Sequence, residues 1–243
     1  QYKNLPKDLI NAVIVTEDKR FFSHIGVDLK GIIRATYVNL KAGKIVQGGS
    51  TITQQLAKNL FLTPERSFTR KLHELILSFW LEMRFTKQQL LSIYLNRVYL
   101  GSGTYGVQAA SEKYFNKKVE ELNLYECALI ASLLKAPSKY NPISNEKLSR
   151  IRTSKVLENM AKNKLITLRN VKEAKLNNKK YDKFTSAPKS TRYFVDWLLP
   201  RVKAYLGEIN EDLIVRTTLD VQLQEIAEKS VNQITSKLSL IHI

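Results

Sequence analysis

The sequence predicts a mainly α-helical fold, and three observations predict it. Glycine and proline are scarce, nine and six in 243 residues, too few for the tight turns of a sandwich or barrel. Apolar residues recur at three-four spacing, as in Leu72, Leu75, Ile76, Phe79, Trp80 and Met83. Helix-start signals precede apolar runs: Thr86 with Gln89, and Asn123 with Glu126. At about 150 residues per domain, the length suggests one large domain or one domain with an appendage. The 44% hydrophobic content is enough to bury a core.

Along the chain, Pro6 suits the first turn of a helix through Asp8 and Val15, although Val13 to Val15 alone also fits a strand. Lys41 to Ser50 carries three glycines and reads as a mobile loop. Thr63-Pro64 opens a further segment, and Arg70 to Phe85 is the long apolar helix. Thr86 then starts a helix holding Leu90, Leu91, Ile93 and Tyr94. Asn123 precedes another from Ala128 to Leu134, which Pro137 and Pro142 stop. Lys162 to Arg192, rich in Lys and Asn, reads as a solvated helix followed by a linker. Ile214 to Leu219 alternates like a strand and Val221 to Val231 like a short amphipathic helix. A boundary falls near residue 190, dividing 1–190 from 191–243.

Composition narrows the function classes. The single cysteine, Cys127, excludes an internal disulfide framework or a CxxC zinc site and reads as a small buried apolar residue. No apolar stretch reaches the ~20 residues needed to span a bilayer. A net charge of +17 calls for a polyanionic partner: nucleic acid, anionic lipid or a phosphorylated substrate.

Some patterns fit motifs by chance. Gly101 to Gly106 satisfies G-x-G-x-x-G, but a helical segment precedes it where a dinucleotide fingerprint needs a strand. Ser132 to Lys135 and Ser186 to Lys189 satisfy S-x-x-K, yet the chain has no K-T-G.

Three constellations carry chemistry. In Glu17 to Gly26, two adjacent carboxylates end an apolar run, and a carboxylate abutting Ala12 to Val15 is partly desolvated. That raises its pKa toward general-base work. The bland reading is an exposed helix end with a structural His24; a metal held by Glu17, Asp18 and His24 lacks ligand spacing on one face. In Gly48 to Gln55, with Lys58 beyond, glycines free the backbone and Ser, Thr and Gln follow at helix-start positions. Such donors hold sugar hydroxyls or phosphate oxygens, or else merely cap a helix. The third is Arg66, Arg70, Lys71 and Glu74. Its charges share one face of an otherwise apolar helix, as an anion site or a salt-bridged surface.

Together these segments resemble the peptidoglycan glycosyltransferase domain of bifunctional class A penicillin-binding proteins, glycosyltransferase family 51. Five blocks match in order: Glu17–Gly26, Gly48–Gln55, Arg70–Glu74, Tyr94–Gly101 with Tyr105-Gly106, and Ala128–Pro137. Arg216–Asp220 followed by Gln222–Ala227 looks like the family's link into a transpeptidase domain. The resemblance implies that domain after this segment and a membrane anchor before it, neither within the sequence. It implies a lysozyme-like helical domain with a small, mobile, membrane-facing lobe at about 41–68 and a short C-terminal linker segment.

The implied activity is polymerisation of lipid II into β-1,4 glycan strands with inversion and release of undecaprenyl diphosphate, at the extracytoplasmic face of the cell membrane. The growing undecaprenyl-diphosphate-linked glycan is the donor. By the resemblance, Glu17 is the general base and Glu74 a second essential carboxylate near the diphosphate. Lys58, Arg66, Arg70 and Lys71 neutralise phosphate charge, and Ser50, Thr51, Gln54 and Gln55 position substrate. Asp18 lies with the substrate-binding set or shapes the first motif, as Phe21, His24, Gly26 and Gly49 do. No cofactor is required; a divalent cation, Mg or Mn, on Glu74 is left open. Implied partners are the membrane surface and moenomycin-type inhibitors, and not nucleic acid. Ile45-Val46, Phe61-Leu62 and Phe68 are candidates to enter the bilayer interface, as is Trp80, for which the core is the favoured reading. The rivals are a lytic transglycosylase or lysozyme that cleaves the glycan, and a basic helical nucleic-acid-binding module.

Overall fold

The computed structural model describes residues 2–44, 48–62, 67–177, 190–207 and 215–239. The architecture is mainly α, as expected, and divides into two compact units, Gln1–Phe184 and Thr185–Ile243. The first unit opens with α1 (Lys7–Glu17), where Pro6 is the N-cap and Leu9, Ala12 and Val13 are fully buried. The Val13–Val15 run is therefore helix, not strand. Asp28 caps α2 (Leu29–Ala42) by accepting from the Gly31 N–H, and Gly43 ends it in the left-handed conformation. The sequence reading did not single this helix out.

Thr51 and Gln54 form a reciprocal capping box at the start of α3 (Ile52–Phe61). Ser67 caps α4 (Phe68–Arg84), and the expected Thr86–Gln89 box starts α5 (Lys87–Arg97). Tyr99–Gly101 (β1) and Thr104–Tyr105 (β2) pair antiparallel, so the G-x-G-x-x-G run is a hairpin turn. Gly106 starts α6 (Val107–Phe115) at φ +83°, where a Cβ would lie 2.6 Å from the Asn96 carbonyl oxygen. The Asn123–Glu126 box starts α7 (Leu124–Leu133), followed by α8 (Glu146–Lys162) and α9 (Leu168–Asn177).

α7 is the axis of the core, buried from Tyr125 to Leu133 and packed against α1, α8 and α9. Cys127 is fully buried within it, and burial pushes its thiol up. α3 packs on α4 and α5, and Ile52, Leu56 and Ala57 on it are fully buried. Burying a side chain such as Leu56 contributes roughly 1.5–3 kcal/mol. The middle of the 41–68 stretch is thus a core helix, joined to the end of α1 by side-chain hydrogen bonds. Ile45, Val46, Thr63, Pro64 and Arg66 lie outside the described residues, as does the Phe68 side chain. Trp80, for which the core is the favoured expectation, is instead 41% exposed and sits edge-on to Phe61.

In the second unit, α10 (Ser190–Leu206) and α11 (Val221–Ser239) pack on each other. Residues 215–220 form no strand, a correction with a simple cause: alternation makes a strand only where a neighbour supplies the ladder. The helix expected at Val221–Val231 runs eight residues further. Among the described residues, no helix is long and apolar enough to cross a membrane.

Candidate active site

The end of α1 and the start of α3 are held together by hydrogen bonds that span long stretches of sequence. The Asp18 carboxylate faces His24 Nε2 with both oxygens at 3.0 Å, and its Oδ2 accepts from the Ile52 N–H at 3.1 Å. An ionised carboxylate only accepts, so Nε2 is the nitrogen that carries hydrogen. The Thr51 hydroxyl donates to the Gly26 carbonyl at 2.6 Å. Gly26 has φ +68°, and a Cβ there would meet Ser78 Oγ at 3.0 Å, so glycine is required. Phe21 is fully buried and edge-on to His24, with the Lys87 ammonium 4.5 Å from its ring centroid.

This frame presents Glu17 at the C-terminal end of α1, on a cleft of about 640 Å³. Gln55 Nε2 donates to Glu17 Oε2 at 3.0 Å, and the Tyr94 hydroxyl donates to Gln55 Oε1 at 3.0 Å. Burial raises the Glu17 pKa, in part offset by the Gln55 hydrogen bond and by the charges of Arg152 and Lys135. The other two carboxylates on the cleft are engaged: Asp18 as above, Asp28 with Arg20 and the Gly31 N–H.

Five cationic side chains line the same cleft: Lys19, Arg34, Lys135, Arg152 and Lys155. The Lys19 pKa is lowered by burial, then by the charge of Arg34 on the same cleft and that of Lys162. Arg152 Nε is buried with no hydrogen-bond partner among the described residues, and its guanidinium lies 5.8 Å from the Tyr140 ring centroid. Sequence reasoning missed this wall as a site. Lys135 lay inside a matched block, and Arg152, Lys155 and Asn159 recur at three-four spacing on α8.

Ser50, Thr51, Gly49 and Gln55 line the cleft, although the Thr51 side chain is committed to its cap and to Gly26. Gln54 does not line it, because its amide closes the capping box. Lys58 stands exposed on α3 and does not line the cleft, and Arg66 lies outside the described residues. Glu74 is 4% exposed; Arg70 pairs with one oxygen and Lys71 Nζ lies 2.7 Å from the other. This triad does not line the cleft but joins its rim where Lys71 Nζ donates to Ser50 Oγ at 2.9 Å. With both oxygens taken by cations, Glu74 does not fit a divalent ion. Among the described residues no group of three or more His, Cys, Asp or Glu is placed to hold one.

A half-buried acid and five cations thus share one cleft in a mainly helical domain. Residues 1–161 match the family model described as Transglycosylase, and the chain belongs to that family. It is similar to penicillin-binding protein 1A of Aquifex aeolicus (strain VF5), 45% identical over 236 residues, 94% of this chain and 32% of that protein. It is also similar to penicillin-binding protein 1A of Neisseria flavescens, 39% identical over 234 residues, 95% of this chain and 29% of that one. The chain thus spans about a third of the length of these relatives. Among solved structures, penicillin-binding protein 1A from Haemophilus influenzae is 30% identical with a TM-score of 0.39, covering 65% of this chain and 20% of that chain.

Proposed function

We propose that this domain polymerises lipid II into β-1,4 glycan strands, with Glu17 as the general base. Glu17 takes the proton of the acceptor 4-hydroxyl as that oxygen attacks the anomeric carbon. The bond to the diphosphate oxygen breaks on the opposite face, so the centre inverts and undecaprenyl diphosphate leaves. The observation that carries this reading is a carboxylate with no ion pair among the described residues, half-buried and held by Gln55, in a cleft with five cations. Diphosphate is a good leaving group and needs charge stabilisation more than a proton. Hydrolysis of a finished glycan needs a carboxylic acid on the leaving alcohol and, in most such enzymes, a second carboxyl opposite. Asp18 and Asp28, tied into the frame, are poorly placed for that second role.

The basic wall serves the diphosphates. Arg152 and Lys135 on the cleft take part of the work assigned from sequence to Arg70 and Lys71, which brace Glu74 and Ser50 at the rim. A lipid-linked substrate also requires the membrane surface, and α2 supports that contact. Leu29, Ile33, Tyr37 and Leu40 form an exposed apolar stripe, with Lys30, Arg34 and Lys41 beside it. Exposed Phe61 and Trp80 add to the apolar surface.

Glu17→Gln keeps the shape and removes the basicity. Incubated with lipid II, it should polymerise at least about 100-fold more slowly than the wild type, with unchanged retention of a moenomycin-type inhibitor. Near-normal turnover rejects Glu17 as base. Shortening of finished glycan strands by the wild-type protein, without growth from lipid II, rejects synthesis in favour of cleavage.

A further inference from the structure

We propose that Tyr94 is a positioning residue for glycosyl transfer: its hydroxyl locks the Gln55 amide in the orientation that donates to Glu17. This rests on Glu17 being the base. The chain of contacts runs through three helices, from Tyr94 on α5 to Gln55 on α3 to Glu17 on α1, each link 3.0 Å long. Tyr94 is 1% exposed, and burial followed by the Glu17 charge raises its pKa well above the ordinary value, so it stays a protonated donor.

Two amide orientations are open to Gln55. In the one observed, Oε1 accepts from Tyr94 and Nε2 donates to the ionised carboxylate. In the flipped one, Oε1 faces Glu17, which satisfies it only when Glu17 is protonated, and the buried Tyr94 proton loses its acceptor. A buried donor without an acceptor is costly. Tyr94 therefore selects the amide orientation that favours the proton-accepting form of Glu17. The charged groups around Glu17 are Arg152 from α8, Lys135 beyond the end of α7, and Asp18 beside it; none of them is altered by removing the Tyr94 oxygen. Tyr94 opens one of the sequence blocks that the catalytic assignment leaves without a role.

The test is the pH dependence of lipid II polymerisation for the whole chain and for Y94F, Q55M and Y94F/Q55M. A base must be ionised, so activity falls on the acidic side as Glu17 is protonated. Y94F should move that acidic limb upward by about half to one pH unit. Q55M should move it at least as far. The double variant should coincide with Q55M, because Tyr94 acts through Gln55. An unmoved limb in Y94F, or a full shift on top of Q55M, overturns the proposal. Should Y94F lose its near-ultraviolet circular dichroism and cooperative melt, Q55M decides, and an unmoved limb there overturns it equally. Turnover by Glu17→Gln refutes the base itself, whereas an inactive Glu17→Gln beside an unmoved Y94F refutes only the role of Tyr94.

Discussion

Glu17 sits at the end of a helix whose preceding turns are packed into the core, and that placement has a cost in stability. Its carboxyl titrates above the ordinary range because burial disfavours the charge. The folded state therefore holds the proton more tightly than the unfolded chain, so stability declines as pH rises through the raised value. Glu17→Gln should raise the melting temperature at pH 7, and the gain should vanish below about pH 4, where both states are protonated. Scanning calorimetry at the two pH values checks this; a gain that persists in acid contradicts it. Gly26→Ala should destabilise by about 1–3 kcal/mol in urea titrations, from the left-handed backbone and the Ser78 contact together. Neutralising Arg152 with Met should lower kcat/KM for lipid II by roughly 100-fold or more, while Lys58→Met, at a residue that does not line the cleft, should leave it within about twofold. Glu17, Ser50 and Gln55 were legible as candidates from an acid beside an apolar run and a glycine-led set of donors, patterns that equally fit a helix end and a cap, and only the family resemblance gave them roles. Arg152 and Lys155 were not. Among the other basic residues of α8 they look like any solvated charge, and only the packing of α8 against α1 brings them to the cleft.

Helix α2 shows why elements differ in legibility. Its inward face is made of Gly31, Ala35 and half-buried Val38, so it lacks the strong apolar stripe that marks a core helix. Its larger apolar residues point outward, opposite to the usual pattern for a helix packed on a core. The capped helices α5 and α7 were readable from Thr86 and Asn123, because a capping box needs only local chemistry. Trp80 misled for the converse reason: three-four spacing marks a face of α4, and no periodicity says whether another layer covers it. Replacing Leu29, Ile33 and Leu40 with Ser should weaken binding to anionic liposomes by at least about tenfold, given about 0.8 kcal/mol per inserted methylene. Their exposure means the melting temperature should hardly change. Unchanged sedimentation with liposomes removes α2 from the membrane assignment. Thr86→Ala should cost about 1 kcal/mol of stability, read by urea titration, since the hydroxyl caps α5.

At the scale of the molecule, the buried apolar core runs from Leu9 to Ala174 and lies within the first unit. A chain ending at residue 184 should therefore keep one cooperative melt and polymerise lipid II; loss of either shows that residues 185–243 complete the domain. The net charge of +17 acts on a longer range than any single contact. Liposome binding should accordingly weaken as salt rises from 0.05 to 0.5 M. The bonds from Asp18 to Ile52, Thr51 to Gly26 and Gln55 to Glu17 fasten the two ends of the excursion that contains α2. That segment is thus an insert on a closed clasp. Chimeras that exchange it between relatives should inherit the lipid preference of the donor while the host's acid keeps its alignment.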